Sequence, residues 1–252
     1  MGRWHAMNWL RSRLSGPARR RVRAVTDPFA GVLGSIRAVR TTEPLVGLTF
    51  DDGPDPVHTP AVLDALAAHG AKATWFVLVD RAEAHPELLE RIVADGHEVG
   101  LHGMDHRRLT RLSRQEVRRH VQQGVARLTA LTGEKPRYFR PPYGSQSVST
   151  LLAVRLQGMQ SVVWAADCDD WSPHPETFIA GLAMQRTSRG SLLLLHDSSA
   201  ADPEDIAPDP HLDRGQLVEL ILSGLAARGL ESVTLSELLA KGKPHHTMWF
   251  RP

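Results

Sequence analysis

From Leu45 onward the chain alternates short β-rich runs with amphipathic stretches of helical length, and no other feature restricts its fold as much. Strands separated by helices pair in parallel, because each crossover returns the chain to the same end of the sheet. Strands are predicted over 45–50, 73–79, 98–101, 138–140, 161–164, 191–195 and 232–234. Helices are predicted over 59–68, 86–94, 114–131, 147–156, 175–185, 214–227 and 235–240. Thr59 before Pro60 and Ser113 three residues ahead of Glu116 read as helix starts, and Gly70 and Gly133 as helix ends. Seven strands in 252 residues suit a single-domain α/β fold of parallel βα architecture, long enough to close a barrel. The organisation expected is a basic extension over 1–44, the barrel over 45–240 and a tail over 241–252. The extension carries no motif, so its removal through residue 40 is expected to leave the barrel folded. The tail reads as an apolar clamp, with His245 and His246 exposed.

Nine arginines against Asp27 and Glu43 give residues 1–45 a charge of +7, leaving −5 for the rest of a chain that totals +2. Such an arm could meet an anionic surface, and Trp4, Trp9 and Leu10 among the arginines could form a short interfacial helix making weak membrane-surface contact. No reading module accompanies the arginines, so nucleic acid is not expected as a partner. No run of 18 apolar residues occurs, and Arg11, Arg13 and Arg19–Arg21 interrupt any secretory core. Cys168 is the only cysteine, which excludes an intrachain disulfide. The expectation is a cytoplasmic protein, peripheral to a membrane if the arm binds one.

Functional groups in a parallel βα barrel gather where strands end. Asp51 and Asp52 follow the first predicted strand, His102 and His106 the third, Arg140 closes the fourth, Asp167 and Asp170 follow the fifth, and His196 and Asp197 follow Leu192–Leu195. Asp-Asp-Gly-Pro alone is often a solvated turn; at the end of a buried strand, two carboxylates are costly without a cation. His102 and His106 stand four apart, so one helical turn would let them share an ion. With one carboxylate they form a two-His, one-Asp set with room for water, the pattern of a catalytic zinc site. A histidine ending a strand buried on both faces is either a satisfied core residue or an active-site acid, and the four other polar strand ends favour the second reading for His196.

Five segments, Thr49-Phe50-Asp51-Asp52-Gly53-Pro54, His102-Gly103-Met104-Asp105-His106, Arg140-Pro141-Pro142-Tyr143-Gly144, Asp167-Cys168-Asp169-Asp170-Trp171 and Leu193-Leu194-Leu195-His196-Asp197, resemble the ordered motifs of the NodB-type polysaccharide deacetylases, carbohydrate esterase family 4. The resemblance implies a distorted single-domain (β/α) barrel of about seven parallel strands, in which Asp52, His102 and His106 bind a divalent metal, usually Zn2+ with Co2+ as a substitute. It implies that Asp51 is the general base and His196 the general acid. Arg140 would position Asp51, Asp170 would orient and charge His196, and the backbone amide of Tyr143 would help stabilise the oxyanion. Trp171 and Leu194 would wall the acetyl pocket.

The function implied is metal-dependent removal of N-acetyl groups from amino sugar units of a polymer, oligosaccharide or lipid-linked glycan. The other readings are an O-acetyl esterase, an N-deformylase on a sugar, or a silent sugar-binding barrel; the presence of base, ligands, arginine and acid argues against silence. Relatives usually carry Ser or Thr where this chain has Gly103, which predicts a looser metal loop. They often carry Asn where it has Leu101, a departure that, with the interrupted secretory core, weighs against a polymer substrate.

Overall fold

The computed structural model describes Gly31, residues 34–200 and residues 211–251. Ten strands and eight α-helices follow one another in these residues. The strands are β1 (Ser35–Arg40), β2 (Leu45–Asp51), β3 (Ala73–Leu78), β4 (Glu98–Gly103), β5 (Tyr138–Phe139), β6 (Gln160–Ser161), β7 (Ala166–Asp167), β8 (Leu192–His196), β9 (Glu231–Ser232) and β10 (Lys243–Thr247). The helices are α1 (Thr59–Ala68), α2 (Val79–Ala84), α3 (Pro86–Ala94), α4 (Arg114–Thr132), α5 (Val148–Leu156), α6 (Glu176–Arg186), α7 (Arg214–Ala227) and α8 (Leu235–Ala240).

Seven parallel strands curl in the order β6-β5-β4-β3-β2-β8-β7, and β9 adds to the start of β2. This is the distorted (β/α) barrel expected. Its register sets the site, because Asp51 lies beside Phe76 on one neighbour and His196 on the other. Side chains on β8 alternate between layers, as a two-residue period requires. Leu193 and Leu195 join the cluster between sheet and helices, with Phe50, Trp75, Leu101 and Ile221. Leu192 faces inward with Ile36, Phe76 and Val162, and Leu235 and Leu238 of α8 pack into the same inner cluster. Leu194 and His196 share that inward parity.

The boundary at residue 45 needs correction. β1 pairs antiparallel with β10, from Ser35 opposite Thr247 to Arg40 opposite Lys243. Bridges Ile36–Val162 and Ala38–Ser191 set β1 across the seam between the two ends of the parallel sheet. Ile36 and Val39 are buried, so cutting at residue 40 would remove part of the core. The run Ser-Ile-Arg-Ala-Val-Arg passes for the end of a basic arm because its alternation is broken by charge. The tail is likewise a strand followed by a buried Trp249. The N-terminal arm through residue 30, with the interfacial reading of Trp4, Trp9 and Leu10, lies outside the described residues, as do residues 201–210 of the polar loop. Among the described residues no helix is long and apolar enough to cross a membrane.

Smaller differences have local causes. β3 ends at Leu78 and Val79 begins an unforeseen short helix. The strand expected over 161–164 is only Gln160–Ser161, with the short β7 after it. Ser113 and Glu116 form a reciprocal capping box. Thr59 is not the cap of α1, since that place belongs to His58. Its hydroxyl is used elsewhere.

Candidate active site

The strand ends bring Asp52, His102 and His106 together, all buried, with one ligand atom from each lying within 4.8 Å of the others. His102 Nε2 is 3.3 Å and His106 Nε2 3.2 Å from Asp52 Oδ1. His102 Nδ1 lies 2.8 Å from the Arg140 carbonyl, which can only accept, so Nδ1 carries a proton and Nε2 is the nitrogen turned to Asp52. Asp52 Oδ1 is buried and makes no hydrogen bond, while Oδ2 accepts from Ala200 N at 3.2 Å. Burial pushes His106 down to about 4, against the pull of Asp52, so its imidazole is neutral near pH 7. Burial also works to raise Asp52, but His106, His102 and His196 outweigh it and hold the carboxyl well below the usual range. Two histidine nitrogens converging on a buried carboxylate oxygen that has no hydrogen bond fit a divalent cation.

Asp51 is held differently. Arg140, itself fully buried, donates from NH1 to Asp51 Oδ1 at 2.7 Å and to Thr49 Oγ1 at 2.8 Å, and its guanidinium lies 4.2 Å over the Phe76 ring. Asp51 Oδ2 then points to the cation set, 3.9 Å from His102 Nε2.

Across the cleft, His196 Nδ1 is 2.7 Å from Asp170 Oδ1, and His196 N donates to Asp170 Oδ2 at 2.7 Å. Burial disfavours protonation of His196, yet Asp170, Asp52 and Asp51 together push it up to about 9. Trp171 is half exposed and stands edge-on to the His196 ring at 5.6 Å, while Leu194 is buried on the inward face of β8. Tyr143 has a left-handed backbone, φ 58°, and its ring packs 4.2 Å from His106. Asp167 is not brought in; it turns outward to Arg186 at 2.5 Å.

Of the curated proteins similar to this chain, a chitooligosaccharide deacetylase of Sinorhizobium fredii is 38% identical over 71% of the chain and 82% of its own length. The polysaccharide deacetylase family model matches residues 38–162. The chain belongs to the polysaccharide deacetylase family, carbohydrate esterase family 4. Two solved relatives have the same architecture. One is a peptidoglycan N-acetylglucosamine deacetylase in complex with an N-oxidanyl-benzamide, 29% identical, with a TM-score of 0.71 over 83% of this chain and 94% of that one. The other is a family 4 acetyl xylan esterase of Clostridium thermocellum in complex with cobalt, 32% identical, with a TM-score of 0.67 over 78% and 90%.

Three residues of this deacetylase-family chain gain a place at the site that the sequence did not assign them, Asp197 being marked there only as a polar strand end and Arg81 and Arg214 not at all. Asp197 accepts from Gly53 N at 3.0 Å and from the Thr59 hydroxyl, and a Cβ on residue 53 would meet its carboxylate at 1.9 Å. Burial raises Asp197 to about 7, against Thr59 and Arg214. Arg81 donates to the Asp52 carbonyl at 3.2 Å and to the Ser199 carbonyl at 2.9 Å, and buried Arg214 donates to the His196 carbonyl at 2.6 Å. Lone arginines far along the chain carry no signal of this. The loop between His102 and His106 has a holding contact of another kind. Gly103 has φ 140°, where a side chain is strained, and His120 Nε2 accepts from Met104 N at 3.0 Å, holding the loop without a hydroxyl.

Proposed function

We propose that this protein hydrolyses the N-acetyl amide of amino sugar units in a glycan, with a divalent metal, Zn2+ by preference, held by Asp52, His102 and His106. The observation that carries the reading is the buried Asp52 Oδ1, which has two histidine nitrogens aimed at it and no hydrogen bond, beside an Asp51 already fixed by Arg140. Family membership and the name of the Sinorhizobium relative support the substrate class.

When bound, the ion would polarise the acyl oxygen and acidify water from about 15.7 towards roughly 7. Asp51 Oδ2 takes the proton of the attacking water, while Arg140 keeps Oδ1 occupied and the carboxylate aligned. The Tyr143 N–H stabilises charge gathering on the acyl oxygen. His196 gives the Nε2 proton to the departing amine, with Nδ1–H held by Asp170 in the tautomer and charge that this step needs. Trp171 and Leu194 bound the space for the methyl group.

Purified enzyme loaded with zinc or cobalt should release acetate from N-acetylglucosamine oligosaccharides, measured beside N-formylated and O-acetylated sugars. Formate dominating over acetate would refute the acyl assignment. The acetyl xylan esterase relative supports a second reading, O-acetyl hydrolysis, and ester-only activity would favour it. An amine leaves far less readily than an alcohol, so an acid as firmly charged as His196 suits the amide.

A further inference from the structure

We infer that the C-terminal tail, through Trp249, is a positioning element for the oxyanion-stabilising turn at Tyr143. The inference rests on the role proposed above for the Tyr143 N–H.

The turn needs holding. Tyr143 and Gly144 are both left-handed, at φ 58° and 62°, and a non-glycine residue in that region is disfavoured unless its surroundings impose it. Within the turn itself there are two bonds, Gly144 N to Pro141 O and Ser145 N to Pro142 O, each 2.9 Å. On the near side Arg108 lies 3.8 Å over the Tyr143 ring and Thr110 Oγ1 is 2.7 Å from Ser145 Oγ; the backbone of Gly144 and Gln146 is tied by a segment about a hundred residues away. Trp249 Nε1 donates to Gly144 O at 2.9 Å, on the residue directly after Tyr143. Two residues on, Gln146 N donates to Arg251 O at 2.8 Å and Arg251 N returns the bond to Gln146 O at 3.0 Å, a two-bond antiparallel bridge. The buried Gln146 amide then donates to Trp249 O at 2.7 Å.

Packing closes the other side. The Trp249 ring stands edge-on to Trp164 at 5.2 Å, and Arg251 stacks on its outer face at 3.7 Å. A Cβ at residue 144 would come within 2.6 Å of the Trp164 ring, so the turn already touches that wall. Gly144 therefore sits between a ring that blocks one direction and an indole N–H that fixes the other. The Tyr143 ring meanwhile packs on His106, so the same turn spans from the cation set to the tail. The tail lies beyond the residues that the family model matches.

A donor that acts on the developing oxyanion affects the transition state and not the bound substrate. Its displacement by a fraction of an ångström should lower kcat and leave KM alone. The test is Trp249→Phe, which keeps the ring and removes the donor, with Gln146→Met as a second variant that removes the amide bond to Trp249 O. Both should lower kcat on an N-acetylglucosamine oligosaccharide by about 10- to 100-fold, the scale of a small misplacement of reacting groups. KM and metal content should be unchanged. Hydrogen exchange at the Gly144 and Ser145 amides should accelerate in both. Unchanged exchange overturns the inference, as does a loss of activity that follows loss of metal or of folded protein. If the parent enzyme released no acetate, the deacetylase reading would fall while the exchange measurement still judged the tail.

Discussion

Asp52, His102 and His106 on one side of the cleft and His196 with Asp170 on the other are all carried on strand ends, but they differ in what they lack. The first group leaves a buried, charged oxygen with no donor. The second is complete, since His196 Nδ1 is matched by Asp170 Oδ1 and the other carboxylate oxygen accepts from the His196 backbone. Exposure follows the same division, with the His196 side chain 18% exposed against 2% for His102. One half has the donors for a cation and the other is already paired. On the roles proposed above, such a site separates binding the ion from moving protons, and variants on each side should fail differently.

The largest effect is expected from Asp52→Ala. It should abolish metal binding and lower turnover by about 10³-fold or more, since an ion contributes several kcal/mol to the transition state and each 1.36 kcal/mol is tenfold. Metal analysis and acetate assays on the same preparation check this, and chelation of the parent enzyme should reproduce it.

His196→Ala should keep the ion and lose about 10²- to 10⁴-fold in kcat. If metal content fell with it, the two halves would not be separable.

The acid half should also appear in the pH profile. His196 is raised from the ordinary imidazole value, so the protonated acid is present below its pKa and is lost as pH rises through it. A cation beside Asp52 offsets the share of the rise due to Asp52 and Asp51, so the basic limb of kcat/KM should fall between 6.5 and about 9. Asp170→Asn should move that limb down by about 1–3 pH units. A limb that stayed in place would remove Asp170 from the tuning of His196.

The smallest effect on catalysis should come from the seam. Ile36→Ala empties part of the inner core and should cost about 2–5 kcal/mol in denaturant unfolding while kcat per folded molecule holds. A loss of kcat there would show that the barrel's closure, and not the strand ends alone, sets the site.

What could be read beforehand follows from the range of each signal. The Asp51-Asp52 and His102/His106 pairs are local, and strand-end placement brings them to one face, although His102 lies in β4 and His106 in the bend after it, not on the helical turn that their spacing suggested. Helix starts such as Ser113-Glu116 are also written within four residues. Asp197, Arg81 and Arg214 could not be assigned in this way, because their partners at Gly53, Ser199 and His196 are chosen by the fold; Asp197 and Gly53 are 144 residues apart. β1 and β10 were missed for the same reason, their pairing joining the two ends of the described chain. Gly103 was legible as a departure, but the replacement contact from His120 was not, since it comes from a helix 16 residues on.

The most direct test of this division of labour is the metal content of Asp51→Asn measured beside its turnover on an N-acetylated glycan. Arg140 would still hold the residue in place, and the ion would still have Asp52, His102 and His106. The variant should therefore retain one ion per chain and lose about 10²- to 10⁴-fold in rate, as expected for a general base. Loss of the ion as readily as in Asp52→Ala, or near-normal turnover with the ion present, would contradict the account.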